Sequence, residues 1–194
     1  MNWVERLSVR AKHWQIFLLF VMVFAVGELP LIGNLTAAAR SQEGYADGLI
    51  LTEIAAAVAG WCFLLWLWSL GSFLTSIVPP ALKLKKRFFL FTILCPALYV
   101  LVSIGLFQSI DRKLFVMTIP VHLFAVFCMF CNLYFVAEGL VIAETDERAS
   151  FFDCLGPLLL LWFAIIGVWF IQPRINRLYA EKRNAGATAE ATAI

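Results

Sequence analysis

Apolar residues in this sequence occur in long runs that short polar segments separate. Within each run they are almost continuous, whereas an amphipathic helix repeats them every three to four residues and a half-buried strand alternates them. A helix of about 20 apolar residues crosses a bilayer. The pattern therefore predicts an all-α, polytopic membrane helix bundle without a soluble domain. Its five membrane helices are expected over residues 14–33, 48–78, 88–107, 114–143 and 156–172.

The path of the fifth run is open, because PLLLLWFAIIGVWFIQ extends only about 24 Å as a helix, less than the hydrocarbon core of about 30 Å. We expect a fifth span, since Gly167 is the only turn residue in its middle and a hairpin at that depth leaves backbone groups unpaired unless protein buries them. The alternative is four spans and a re-entrant segment. Five spans place the basic tail outside, whereas four keep it inside, as the positive-inside tendency favours. That tail carries Arg174, Arg177, Lys182 and Arg183.

Basic residues flank the apolar runs and carry the information on orientation. Of the 194 residues, 62% are hydrophobic and 14% charged, and the net charge of +2 is too small to indicate a nucleic-acid partner. The densest basic cluster predicts a cytoplasmic loop and can also bind anionic lipid headgroups; it consists of Lys83, Lys85, Lys86 and Arg87. We therefore expect a multi-pass protein of the bacterial inner membrane with a cytoplasmic amino terminus. It should form one domain over residues 1–183, followed by a disordered tail over 184–194.

Small residues in the second run predict a packing face. Ala56 and Gly60 are four residues apart, so they lie on one side of the helix, where a neighbouring backbone can approach closely. We interpret this face as a site of helix packing. The expected partners are the lipid bilayer and either further copies of this chain or other membrane proteins.

The fourth run is expected to organise the bundle, because polar side chains interrupt its apolar residues. Cys131, Tyr134 and Glu138 share one stripe of the helix, while His122 and Asn132 lie on another side. A charge in mid-membrane costs about 2.5 to 3.5 kcal/mol, so these side chains should face neighbouring helices. Two interpretations stay open. The residues line a proton or solute path, or they form interhelical hydrogen bonds worth about 0.6 kcal/mol on average.

Cys128 and Cys131 form a CxxC motif on the same predicted helix. Membrane thiol oxidoreductases use such pairs, but a second thiol pair in a loop would be needed to receive the electrons. Buried cysteines otherwise behave as small hydrophobic residues. No metal site and no cofactor are predicted, because the chain has two histidines and neither lies in a ligand cluster. No catalytic residues are assigned, since no nucleophile elbow, phosphate loop or zinc-protease motif occurs on a convincing element.

The carboxyl-terminal third carries a resemblance to known sequences. SFFDCLGPLLLLWFAIIGVWFIQPRINRLYAEKR and the preceding LYFVAEGLVIAE resemble the end of small uncharacterised bacterial membrane proteins that share an IGxWFIQPRIN-like segment. The resemblance implies a membrane location and carries no known activity. Two positions depart from it. Ile165 stands where such sequences tend to have proline, which weakens the re-entrant alternative, and Glu138 stands where they tend to have lysine, which disfavours a shared catalytic acid.

The sequence favours a non-enzymatic integral membrane protein that acts as a packing or accessory component of a membrane assembly or homo-oligomer. One alternative is a small channel or transporter with Glu138, Asn132 and His122 along its path. The other is a membrane thiol or quinone oxidoreductase that uses Cys128 and Cys131.

Overall fold

Six α-helices and one 3-10 turn make up residues 11–22, 45–82, 84–106 and 112–192, which are the residues that the computed structural model describes. No strand occurs within these ranges, so the predicted all-helical class is confirmed for them. The helices are α1 (His13–Met22), α2 (Tyr45–Ile77), α3 (Lys86–Leu106), α4 (Arg112–Thr145), α5 (Phe151–Trp162) and α6 (Ala164–Thr192). The 3-10 turn Pro80–Leu82 joins α2 to α3.

Two of the described helices are long and apolar enough to cross a membrane by length and composition. They are the Ile54–Ile77 part of α2 and the Thr118–Thr145 part of α4. Helices α1 and α5 are apolar but shorter. Five continuous membrane helices, as the sequence predicts, are therefore not supported. The first predicted span continues from α1 into residues 23–33, which lie outside the described residues.

Helix α3 packs antiparallel to both α2 and α4, and glycines bring the helices close. Gly60 of α2 faces Val100 of α3, while Gly71, further along α2, faces Phe89 near the start of α3. A Cβ atom on Gly71 would lie 2.4 Å from the Phe89 ring, so a larger residue there would require this ring to move. The same ring stacks on Phe135 of α4, with centroids 4.4 Å apart. These contacts fix the mutual position of the three helices.

Helix α4 is the centre of the fold, because it packs against α2, α3, α5 and α6. Its residues Leu133, Val136 and Leu140 are completely buried in the hydrophobic core. Gly139 lets α2 approach, since a Cβ atom there would lie 3.2 Å from Leu74 Cβ. A helix with polar residues on two sides needs neighbours on both, which is consistent with this central position.

The predicted continuous helix over residues 156–172 is corrected by the structure, because the chain reverses at Phe163 between α5 and α6. Phe163 leaves the helical conformation, with φ −93° and ψ 57°. A Cβ atom on Gly167 would lie 1.6 Å from the carbonyl oxygen of Leu160, so the two helices touch backbone to backbone. The Phe163 N–H donates to the Leu159 carbonyl at 2.9 Å. The Phe163 N–H and carbonyl are thus both paired, as an apolar environment requires of backbone groups.

A capping box starts the hairpin at α5. The Ser150 side chain accepts a hydrogen bond from the Asp153 N–H, and the Asp153 carboxylate accepts one from the Ser150 N–H. These bonds from Ser150 hold the pKa of Asp153 below its ordinary value. Helix α5 then runs antiparallel to α4, and the Trp162 ring stacks on Phe130 with centroids 4.5 Å apart.

Helix α6 returns parallel to α2. Gln172 lies opposite Trp66, and ten residues further along each helix Lys182 lies opposite Ser76. The hairpin therefore begins and ends at one end of the bundle, where α2 and α4 also end. We call this the basic end, because Lys85 lies there just before α3, and Lys86 and Arg87 are the first residues of α3.

Helix α1 covers α2 and α6 with aromatic contacts. The Phe20 ring meets Trp66 edge to face at 5.6 Å, and the His13 ring lies 4.7 Å from Trp169. At the other end of the chain, α6 continues to Thr192, into the segment 184–194 for which the sequence predicts disorder. Alanine and glutamate in this segment favour a helix locally, and the helix that precedes it supplies the nucleus.

Candidate functional site

Asn132 is buried between α3 and α4. Its Oδ1 atom accepts a hydrogen bond from Thr92 Oγ1 at 2.9 Å, and its Nδ2 atom donates to the Cys128 carbonyl at 2.9 Å. Both side chains are almost inaccessible to solvent. Both polar atoms of the Asn132 amide therefore have a partner, one on α3 and one on α4 itself. This is what a structural interhelical hydrogen bond requires.

His122 lies ten residues before Asn132 on α4 and is exposed at the surface of the described fold. Its Nδ1 atom is 2.7 Å from the Tyr99 hydroxyl of α3, which is hydrogen-bond distance. The two rings are tilted, with centroids 5.3 Å apart. His122 and Glu138 are separated by about 24 Å along the helix. The three residues proposed for a path thus have separate surroundings.

Glu138 is half-buried and lines a cavity of about 410 Å³ near the basic end. Arg148, in the loop before α5, lines the same cavity. Tyr134, one turn earlier on α4, packs its ring against Phe151 at 6.1 Å and lies close to the Cys154 thiol. The stripe predicted to contain Tyr134 and Glu138 therefore faces α5 and the loop that precedes it.

The predicted CxxC pair has a third cysteine beside it. Cys128 is buried and Cys131 half-buried, and both are free thiols. Cys95 of α3 lies within hydrogen-bond reach of the Cys128 thiol. The sequence did not indicate this contact, because Cys95 belongs to another helix. Among the described residues, no group of three or more histidine, cysteine, aspartate or glutamate side chains could hold a metal ion.

The remaining predicted residues lie on the surface of the bundle. Lys85, Lys86 and Arg87 are exposed at the basic end, and Lys83 lies outside the described residues. Gly60 packs on α3, as a packing face requires, whereas Ala56 is exposed. One part of the small-residue face is therefore used within the chain and the other part is open.

Two polar clusters were not found from the sequence. In the first, Trp66 Nε1 donates to Gln172 Oε1 at 3.3 Å, and Gln172 and Asn176 both donate to the Ala11 carbonyl. This cluster joins α2, α6 and the chain just before α1. The only signal for it was the pair of amides that flank the end of the last apolar run, at Gln172 and Asn176.

The second cluster is ionic and ties α6 to the end of α4. The guanidinium of Arg174 pairs with the Glu144 carboxylate through two nitrogens, and Arg177 Nη2 lies 3.2 Å from the same carboxylate. Such bidentate pairs are stronger than ordinary ion pairs. Acidic and basic residues at the ends of neighbouring runs could have indicated this contact only if the hairpin had been predicted.

No family model, no curated protein and no solved structure matches the chain. The resemblance of its carboxyl-terminal third to small bacterial membrane proteins therefore stays a prediction.

Proposed function

We propose that this chain is a multi-pass protein of the bacterial inner membrane, in which the first apolar run, which begins with α1, and the helices α2, α3 and α4 cross the bilayer, and the α5–α6 hairpin enters and returns. Large apolar side chains on the outside of the bundle support this proposal. Phe127 and Leu123 are each 62% exposed and Phe152 is 79% exposed, a surface that suits lipid better than water. Helix α3 runs antiparallel to both α2 and α4 and lies between them in the chain, so it must cross wherever they cross.

The distribution of charge supports a cytoplasmic amino terminus and a cytoplasmic tail. Lys85, Lys86 and Arg87 lie at the basic end, and Lys182 of α6 donates hydrogen bonds to Ser76 at the same end. The hairpin brings the tail to this end, whereas a fifth span would carry it to the opposite one. The positive-inside tendency therefore agrees with four spans and a re-entrant hairpin, with all of these residues in the cytoplasm.

Within that membrane, the chain acts as a non-enzymatic packing or accessory component, in an assembly with other membrane proteins or with further copies of itself. The observation that carries this function is the pairing of polar side chains between neighbouring helices, one pair buried and one at the surface of the bundle. Thr92 pairs with Asn132, and Tyr99 pairs with His122, so these groups hold helices together. The outer faces remain apolar, and Ala56 leaves room there for the backbone of a neighbouring helix.

Native mass spectrometry after extraction in a mild detergent tests this function. We expect a defined oligomer or a membrane protein that co-purifies in fixed stoichiometry. Ala56→Leu should weaken that association, because the larger side chain keeps the partner backbone away. Val58→Leu is the matched control, since Val58 is also exposed but lies on another face of α2. A monodisperse monomer without partners would contradict the proposal.

A thiol oxidoreductase is the second candidate, because Cys95 and Cys128 meet across α3 and α4. Oxidation of two thiols to one disulfide releases two electrons and two protons, which a membrane quinone could accept. Mass spectrometry of the alkylated protein, after exposure to an oxidised quinone, should then show a Cys95–Cys128 or Cys128–Cys131 disulfide. Free thiols throughout would remove this candidate.

A further inference from the structure

A cavity of about 410 Å³ opens at the basic end of the bundle. It lies between the 3-10 turn after α2, the last part of α4 and the loop that leads to α5. Its lining residues are Ala81, Leu82, Glu138, Ile142, Arg148 and Ala149. A volume of this size falls within the range of sites for small molecules.

Opposite charges face this cavity from two different elements. Glu138 projects from α4, and Arg148 belongs to the loop, whose conformation is set in part by Asp146 with its positive φ of 55°. Within the described part of the chain, the ion pairs join Arg174, Arg177, Glu144 and Glu181, and include neither Glu138 nor Arg148. Glu138 and Arg148 thus line the same cavity without forming an ion pair with each other.

We propose that this cavity binds a zwitterionic phosphoethanolamine group, with its ammonium at Glu138 and its phosphate at Arg148. A primary ammonium can donate up to three hydrogen bonds to a carboxylate, and a guanidinium fork matches the geometry of phosphate oxygens. Each end of such a group therefore satisfies the charge that faces it. A ligand with only one of the two charges would leave the other side chain without a counter-ion.

The position of the cavity favours a lipid headgroup as the source of this group, and in that respect the proposal rests on the membrane location proposed above. The basic end is the headgroup level of the cytoplasmic leaflet in that arrangement. Phe151 and Phe152 follow Arg148 closely in the chain and are 56% and 79% exposed, so they offer an apolar surface to acyl chains. Phosphatidylethanolamine carries both the headgroup and the chains.

Binding is measured on the full-length protein in detergent by native mass spectrometry, with phosphatidylethanolamine, phosphatidylcholine and phosphatidylglycerol at equal concentrations. We expect retention of phosphatidylethanolamine above both others, because choline has no N–H donor and glycerol no positive charge. Glu138→Gln and Arg148→Gln should each weaken retention about 10- to 100-fold, the value of one charge-assisted hydrogen bond. The matched controls Glu147→Gln and Arg183→Gln change exposed charges outside the cavity and should leave it unchanged.

Soluble phosphoethanolamine, added as a competitor, shows whether the ligand is the free headgroup compound or the whole lipid. Displacement of the lipid at a similar concentration supports the headgroup alone as the ligand, while failure to displace it supports the whole lipid. Equal retention of phosphatidylcholine, or wild-type retention by Glu138→Gln, would overturn the proposal. Glu138→Asp, which keeps the charge, should restore part of the binding, and circular dichroism confirms that each variant is folded.

The outcome is separable from that of the proposed membrane location. Recovery of the folded chain from the aqueous fraction without detergent would refute the membrane location. The binding of soluble phosphoethanolamine to the cavity could still be measured on that material.

Discussion

Replacing Gly167 with alanine tests the hairpin directly, because a hairpin and a continuous helix predict effects of opposite sign. In a continuous helix over residues 156–172, alanine would stabilise the protein by about 1 kcal/mol relative to glycine, from helix propensity alone. In the hairpin, the new Cβ atom would lie 1.6 Å from the carbonyl oxygen of Leu160, 2.4 Å from its carbonyl carbon and 3.0 Å from its Cα atom. All three atoms belong to the backbone.

The size of the effect follows from what can move. A flexible side chain could rotate away from an added methyl group, but the backbone of Leu160 can yield only if α5 and α6 separate. The distance from the new Cβ atom to the oxygen must roughly double before the contact is acceptable. Overpacking of this kind costs typically about 1–3 kcal/mol. We therefore expect Gly167→Ala to lower the free energy of unfolding by about that amount.

The measurement is a titration of the purified protein from mild detergent into dodecyl sulfate, with helix content followed by circular dichroism. Gly156→Ala is the matched control, because Gly156 lies in α5 and a Cβ atom there would meet nothing within 4 Å. We expect the control to be as stable as the wild type or more stable, since helix propensity is the main change. If Gly167→Ala is stabilised like Gly156→Ala, the chain does not reverse at Phe163 and the hairpin is refuted.

Three further predictions concern polar contacts. Asn132→Leu should lower the free energy of unfolding by about 0.6 to 1.7 kcal/mol in the same titration, because it removes an interhelical hydrogen bond. Glu144→Gln should cost about 1 kcal/mol, since the partly buried pair with Arg174 loses its charge assistance. The capping of α5 by Asp153 should depend on pH. Because hydrogen bonds from Ser150 lower its pKa, its contribution is complete above the pKa of the unfolded chain and is lost as pH falls through the lowered value. Wild type and Asp153→Ala should therefore differ in unfolding midpoint at neutral pH and converge in acid.

Each of these predictions has a result that contradicts it. An Asn132→Leu variant that is more stable than the wild type would mean that the amide is not held by Thr92. For Glu144, substitution of the exposed Glu181 by Gln serves as control. Equal losses of stability in the two variants would show that the pair with Arg174 stabilises the protein no more than an exposed ion pair does. A difference between wild type and Asp153→Ala that persists unchanged in acid would exclude the carboxylate as its cause.

The sequence by itself determined that the apolar runs form helices, although it predicted disorder over 184–194, where α6 continues to Thr192. A helix forms its backbone hydrogen bonds within one segment, so a continuous apolar run is sufficient to predict one. The predicted segment 48–78, for example, corresponds to α2 at Tyr45–Ile77. It also placed polar residues on two sides of α4, and the structure shows this helix among four others. These features depend only on residues that are close along the chain.

Only the tertiary structure decided the partners of the polar residues. Asn132 meets Thr92, 40 residues away, and Gln172 meets Trp66, 106 residues away. Hydropathy cannot distinguish such pairs, because it records how apolar a segment is and not the shape of the surface that it presents. The cavity between Glu138 and Arg148 likewise depends on how a turn, a helix and a loop are arranged in space.

The hairpin was determined partly by the sequence and partly by the tertiary structure. Gly167 was visible in the sequence as the one turn residue in the last apolar run, but the turn itself is at Phe163, which no local rule marks. Gly167 matters because α6 packs against the backbone of α5 there, and that contact exists only once the chain has folded back. Local chemistry therefore permits either path for this segment. The close packing of two backbones, and the salt bridge from Arg174 to Glu144 that it allows, selects the hairpin.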